Sequence, residues 1–122
     1  MTKIIKIPYS VFDDWNLLQR YLKRKGNPKY ELIGDIKLIR TFMFHNFENL
    51  IKIHGNLDLH DSSVRTLGDI EEITGDLILT DTKIQSLGNL EYVGKRIWLN
   101  RDNALPPDEL KKFKDQIKYV LN

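Results

Sequence analysis

The chain has 122 residues, no cysteine, and 19 Lys/Arg against 17 Asp/Glu for a formal net charge of +2. That length holds one domain around one core, and the absence of cysteine excludes disulfides, thiolate nucleophiles and Cys-based zinc sites. Residues 1–30 carry seven basic and two acidic side chains, residues 31–105 eight and twelve, and residues 106–122 four and three. Basic character therefore sits at the N-terminal end, and the middle of the chain is acidic. The opening MTKIIKIPYSVFDDW lacks the apolar run of a signal peptide. No stretch approaches the roughly eighteen apolar residues of a membrane span. The expectation is a soluble protein of the cytoplasm.

In chain order, Ile4–Ile7 reads as a short extended segment stopped by Pro8. Ser10-Val-Phe-Asp13 reads as a capping box with Ser10 as N-cap. Val11, Trp15, Leu18 and Leu22 come next at helical spacing, with Phe12 and Tyr21 alongside. Asp13 and Asp14 at the start and Arg20, Lys23, Arg24 and Lys25 at the end suit the helix dipole. Gly26 and Pro28 end this helix, and residues 1–28 are expected to form an N-terminal cap.

Residues 29–105 repeat themselves. HGNLDLHDSSVRTLGDIEEI from His54 aligns with TGDLILTDTKIQSLGNLEYV from Thr74, and GKRIWLN from Gly94 begins the pattern again. Upstream, ELIGDIKL aligns with EEITGDLIL. That first unit is one residue longer, and its middle, RTFMFHNF, is degenerate. A fixed period of about 20 residues is the signature of a solenoid, whose units cannot bury their own apolar faces alone. Each L-x-L is expected to be a short strand with two inward apolar residues around one outward residue. The preceding Gly34, Gly55 and Gly75 suit a tight corner. Asp61-Ser62 and Asp81-Thr82 suit a turn after the strand. Pro106 and Pro107, followed by Asp108 and Glu109, open an expected C-terminal capping helix over residues 106–122. Leu110, Phe113, Ile117 and either Val120 or Leu121 form its apolar face.

The pattern G-D-L-x-L-x-x-T-x-I-x-S-L-G-N-L-x-x-V is carried in full by Gly75, Asp76, Leu77, Leu79, Thr82, Ile84, Ser86, Leu87, Gly88, Asn89, Leu90 and Val93. It resembles the short leucine-rich repeats of small proteins in bacteriophage and bacterial genomes. The resemblance covers roughly residues 31–105 and implies an α/β solenoid of about four coils, with a parallel sheet between an N-terminal and a C-terminal helix. It also implies binding of a partner protein through the strand face. A phage origin would imply an inhibitor of a host defence system, working in the host cytoplasm.

The outward strand positions are the candidate site. Lys37, Asp58, Ile78 and Trp98 form the central row. Asp35, Asn56, Asp76 and Arg96 flank it on one side, and Ile39, His60, Thr80 and Asn100 on the other. Ile78 and Trp98 together resemble a binding hot spot rimmed by charge. Asp58, His60, Asp76, Arg96 and Asn100 are expected to set specificity around them, and Lys37 and Thr80 are expected to bind the partner beside them. Asp76 with Arg96 and Asp81 with Arg101 are expected to form ion pairs between coils. Asp58, Asp61, Asp76 and Asp81 also invite a metal reading, against which no loop resembles a calcium site; turn capping is the better account.

His45, His54 and His60 lack zinc-site spacing. No phosphate loop or nucleophile elbow occurs. No acid, base and nucleophile assemble, so a binding protein without cofactor or metal is expected rather than an enzyme. Two alternatives compete: nucleic-acid binding through Arg20, Lys23, Arg24 and Lys25, and self-association, with a homodimer formed through an open sheet end or the Ile78–Trp98 patch.

Overall fold

The computed structural model describes residues 3–40 and 47–120. Its elements are β1 (Ile5–Pro8), a 3-10 turn (Tyr9–Val11), α1 (Trp15–Arg24), β2 (Tyr30–Ile33), β3 (Ile36–Lys37), β4 (Leu50–His54), β5 (Leu57–Asp58), β6 (Glu72–Ile73), β7 (Leu77–Ile78), β8 (Tyr92–Val93), β9 (Ile97–Asn100), α2 (Pro107–Lys112) and β10 (Ile117–Val120). The chain winds as a β-solenoid of about four turns, with two sheets of five strands. The first sheet runs β1-β2-β4-β6-β8 and the second β10-β9-β7-β5-β3. Every pairing among the described residues is parallel. A lone bridge between Thr66 and Ser86 marks a third side.

The sequence period is the strand register. Leu57, Leu77, Ile97 and Ile117 align in one column, and Asp58, Ile78, Trp98 and Lys118 in the next. The inward columns build the core: Leu57, Leu59, Val64, Leu67, Ile70 and Ile73 are fully buried. So are or nearly are their counterparts Leu77, Leu79, Ile84, Leu87, Leu90 and Val93. Backbone bonds tie coil to coil, as in Leu57 N–H to Asp76 O at 2.9 Å and Leu77 N–H to Arg96 O at 2.8 Å.

Side chains reinforce this register at one corner. Asp35 Oδ1 accepts from Asn56 N–H at 2.9 Å, Asn56 Oδ1 from Asp76 N–H at 2.7 Å, and Asp76 Oδ1 from Arg96 N–H at 2.9 Å. The corner leaves no room beside this ladder. A Cβ on Gly75 would overlap Asn56 Oδ1 and the Gly55 carbonyl oxygen. At the opposite corner Gly88 combines φ +59 with a close approach to the Gly68 carbonyl, so no other residue fits without strain.

The N-terminal helix starts later than the capping box predicts. A 3-10 turn occupies Tyr9–Val11, and Asp13 takes φ 47, which breaks the chain before the helix. Asp14, not Ser10, is the N-cap, accepting from Leu17 N–H at 3.0 Å. Val11 is consequently exposed. α1 buries Leu18 and Leu22 in the core, and Trp15 meets the Phe47 ring edge-on at 5.7 Å. The degenerate stretch around Phe42 lies mostly outside the described residues, as does His45.

The C-terminal segment departs from the expected single helix. α2 ends at Lys112, and Ile117–Val120 is a strand in register with Ile97–Asn100. Ile117 and Val120 are β-branched and gain ladder bonds on β9 that a continued helix would leave unmade. Phe113 is buried as expected, whereas Ile117 and Val120 are half-buried on the sheet. Polar side chains of this segment bond to the last coil. Glu109 accepts from Leu87 N–H at 3.2 Å, and the Lys112 ammonium donates to Leu90 O at 3.0 Å. The Gln116 amide donates to Val93 O and, at 2.8 Å, to Lys95 O. These contacts satisfy main-chain groups that another coil would otherwise meet.

Leu79 sits mid-column with 1% exposure. Leu79→Ala is expected to cost about 2–5 kcal/mol in urea denaturation. Tyr30 gives a pH test. Its hydroxyl donates to Phe47 O at 2.9 Å and accepts from Gln19 Nε2 at 3.0 Å. Burial, reinforced by the Glu48 charge, raises its pKa well above the ordinary 10.0. Because the folded-state value exceeds the unfolded one, stability is complete below about pH 10 and falls as pH rises beyond it. Tyr30→Phe is expected to cost about 1 kcal/mol at neutral pH and to flatten that alkaline decline in denaturation midpoints.

Candidate functional site

The outer face of the second sheet carries the predicted site. Its central row reads Lys37, Asp58, Ile78, Trp98 and then Lys118. Alternation along each strand turns Ile78 away from buried Leu77 and Leu79, and Trp98 away from buried Ile97 and Leu99. Ile78 and Trp98 are half-buried. Lys37 and Arg96 are exposed, while Asp58 and Asp76 are half-buried.

Four polar residues form a connected rim on one side of this row. His60 Nδ1 and the Thr80 hydroxyl are hydrogen-bonded at 2.7 Å. Asp81 N–H donates to Asn100 Oδ1 at 2.7 Å, and Asn100 Nδ2 donates to Asp81 Oδ1 at 3.0 Å. His60 Nε2 lies 3.9 Å from Asp81 Oδ2. Thr80 and Asn100 are themselves buried, so they fix the rim and present little surface of their own.

The two expected ion pairs between coils are not formed among the described residues, and the geometry explains why. Asp76 is turned onto the Arg96 main-chain N–H rather than its guanidinium. Asp81 is held by Asn100, and Arg101 instead lies over the Tyr119 ring at 5.3 Å. The remaining carboxylates of the metal reading have protein partners too. Asp58 Oδ1 accepts from His60 N–H at 3.1 Å, and Asp61 lies 3.9 Å from Arg40 Nε. No group of three or more His, Asp or Glu side chains that could hold a metal ion occurs among the described residues.

The competing basic cluster lies elsewhere. Arg20, Lys23, Arg24 and Lys25 are exposed on α1 and its C-terminal edge. Arg24 and Lys25 line a cleft of about 490 Å³ with Phe12, Leu17 and Tyr21, and Lys25 sits 5.7 Å from the Tyr21 ring. No helix among the described residues is long and apolar enough to cross a membrane.

Sequence reasoning missed Lys118, which extends the central row by one strand beside Trp98. The signal was present, since Ile117 continues the column of Ile97 one period on. It also missed the first sheet's outer row, where Lys6, Glu31, Lys52 and Glu72 alternate in charge along the register. Lys52 lies 3.7 Å from Glu72, and His54 is paired with the largely buried Glu31 at 2.7 Å. That face neutralises itself, whereas the second sheet presents an apolar pair at its centre.

Comparison of the chain with protein families, with curated proteins and with solved structures returns no match.

Asn100→Asp would set a carboxylate against Asp81 where an amide donor now stands. It is expected to destabilise the fold by about 1–3 kcal/mol, read as a lower urea midpoint at neutral pH.

Proposed function

We propose that this chain is a recognition module without catalysis, which binds a partner protein through the outer face of the second sheet. The observation that carries this reading is the Ile78–Trp98 pair, in register and turned outward on parallel strands. A large aromatic side chain beside an aliphatic one, ringed by charged groups, is the composition of an interface hot spot. Trp98 and Ile78 supply the apolar contact. Lys37, Asp58, Asp76 and Arg96 set charge complementarity, and the His60–Thr80–Asn100 rim fixes the edge of the footprint.

The reading extends to the finer resemblance. The repeats act as short leucine-rich repeats, with the segments around α1 and α2 as caps. The partner is then a host defence protein whose working surface is blocked by occupancy. Nucleic-acid binding through Arg20, Lys23, Arg24 and Lys25 is the second reading, supported by their joint exposure at one end of α1. It predicts affinity that falls steeply with salt.

The test is capture of partners from host lysate by the wild type and by the Trp98→Ala/Ile78→Ala double variant. The expected result is one protein retained by the wild type and lost by the variant, with both chains equally folded by circular dichroism. Equal retention by both overturns the reading. Retention of nucleic acid alone, lost at high salt, supports the second reading instead.

A further inference from the structure

The second sheet ends at β10, whose far edge pairs with nothing among the described residues. Gln116 O accepts from Ile97 N–H at 3.0 Å. The alternation of a parallel ladder therefore turns the N–H and C=O groups of Ile117 and Tyr119 outward, away from β9. The equivalent edge of the first sheet is occupied, because Lys112 and Gln116 side chains bond the carbonyls of Leu90, Val93 and Lys95 there. Among the described residues β10 has no such cover.

Beside this edge lies a groove of about 350 Å³ lined by Pro107, Leu110, Lys111, Lys114, Ile117 and Tyr119. It occupies the place where the inward side chains of one more strand would lie. Its charged residues are both cationic, and Lys118 extends the positive charge onto the outer face. Tyr119 is 40% exposed.

We propose that the free edge of β10 is a strand-addition site for an acidic extended peptide with alternating apolar residues. The peptide's main chain bonds to Ile117 and Tyr119, as in other sheet-edge recognition. Its apolar side chains follow the columns of Ile117 and Tyr119 into the groove. Its acidic side chains lie beside Lys118, with Lys111 and Lys114 adding attraction. A second copy of the chain is the poorer occupant. Antiparallel pairing of two β10 edges, Ile117 opposite Tyr119, sets two copies of Lys118 side by side, and like charges directly opposite are destabilising.

The test is fluorescence anisotropy of the full chain with a labelled synthetic peptide of alternating glutamate and isoleucine. Two control peptides accompany it, one with lysine for glutamate and one N-methylated at the glutamates, whose amides face β10 when the peptide continues the parallel ladder. The expected result is saturable binding of the first peptide, weakened about tenfold or more by either control and by Lys114→Glu or Lys118→Glu. The Trp98→Ala/Ile78→Ala variant is expected to keep this binding, which separates the site from the recognition face. No binding at about 1 mM peptide, or equal binding of either control, overturns the proposal. So does a concentration-dependent dimer that the unmodified glutamate–isoleucine peptide leaves intact and Lys118→Glu alters, because the occupant is then a second copy.

Discussion

The close stacking of one coil on the next constrains everything else in this protein. Parallel strands lie about 4.8 Å apart, and at the corners that spacing brings main chain against main chain. Gly75 and Gly88 sit where a Cβ would meet the carbonyl of the coil before. The same proximity lets Asp35, Asn56 and Asp76 each reach the N–H of the next residue in their column. Once the corners are fixed, the inward columns fall in line and leucine packs on leucine without alternative registers. The Gly-Asp and Gly-Asn pairs thus act as the spacer, and the aliphatic columns are set by them.

The surface inherits this order. Residues between inward positions are placed in straight rows whether or not the core needs them, and the two sheets use their rows differently. Lys6, Glu31, Lys52 and Glu72 alternate in sign along the first sheet, each beside an opposite charge. The second sheet carries lysine, aspartate, isoleucine, tryptophan and lysine in its row. Lys37 and Asp58 are register partners there, whereas Lys118 is separated from Asp58 by the apolar pair. One face is therefore satisfied by itself, and the other is left with complementary groups for an outside surface.

Much of this was legible in the sequence. The column of Leu57, Leu77 and Ile97, the corner glycines and the outward position of Ile78 and Trp98 all come from a single period. The ends were harder to read. Ile117 through Val120 fits helical spacing with Leu110 and Phe113, yet the same residues fit the repeat column of Ile97 and Leu99. Tertiary pairing with β9 decided between them. The ion pairs failed for a related reason. Spacing by one period gives the column but not the rotamer, and Asp76 found the nearer main-chain donor. Ser10 lost its capping role to Asp14 because the turn after Pro8 consumes the residues between them.

The end segment has a consequence for how such a chain changes over generations. Glu109, Lys112 and Gln116 address mainly main-chain atoms of the last coil: Leu87 N–H and the carbonyls of Leu90, Val93 and Lys95. Every coil offers those atoms at the same place, whatever its side chains. A duplication of one period in the gene would therefore insert a coil without disturbing either terminus. The outer row would lengthen by one strand, about 4.8 Å, with a fresh side chain to diversify. The number of coils, and with it the reach of the face, is a quantity that recombination can adjust in whole steps.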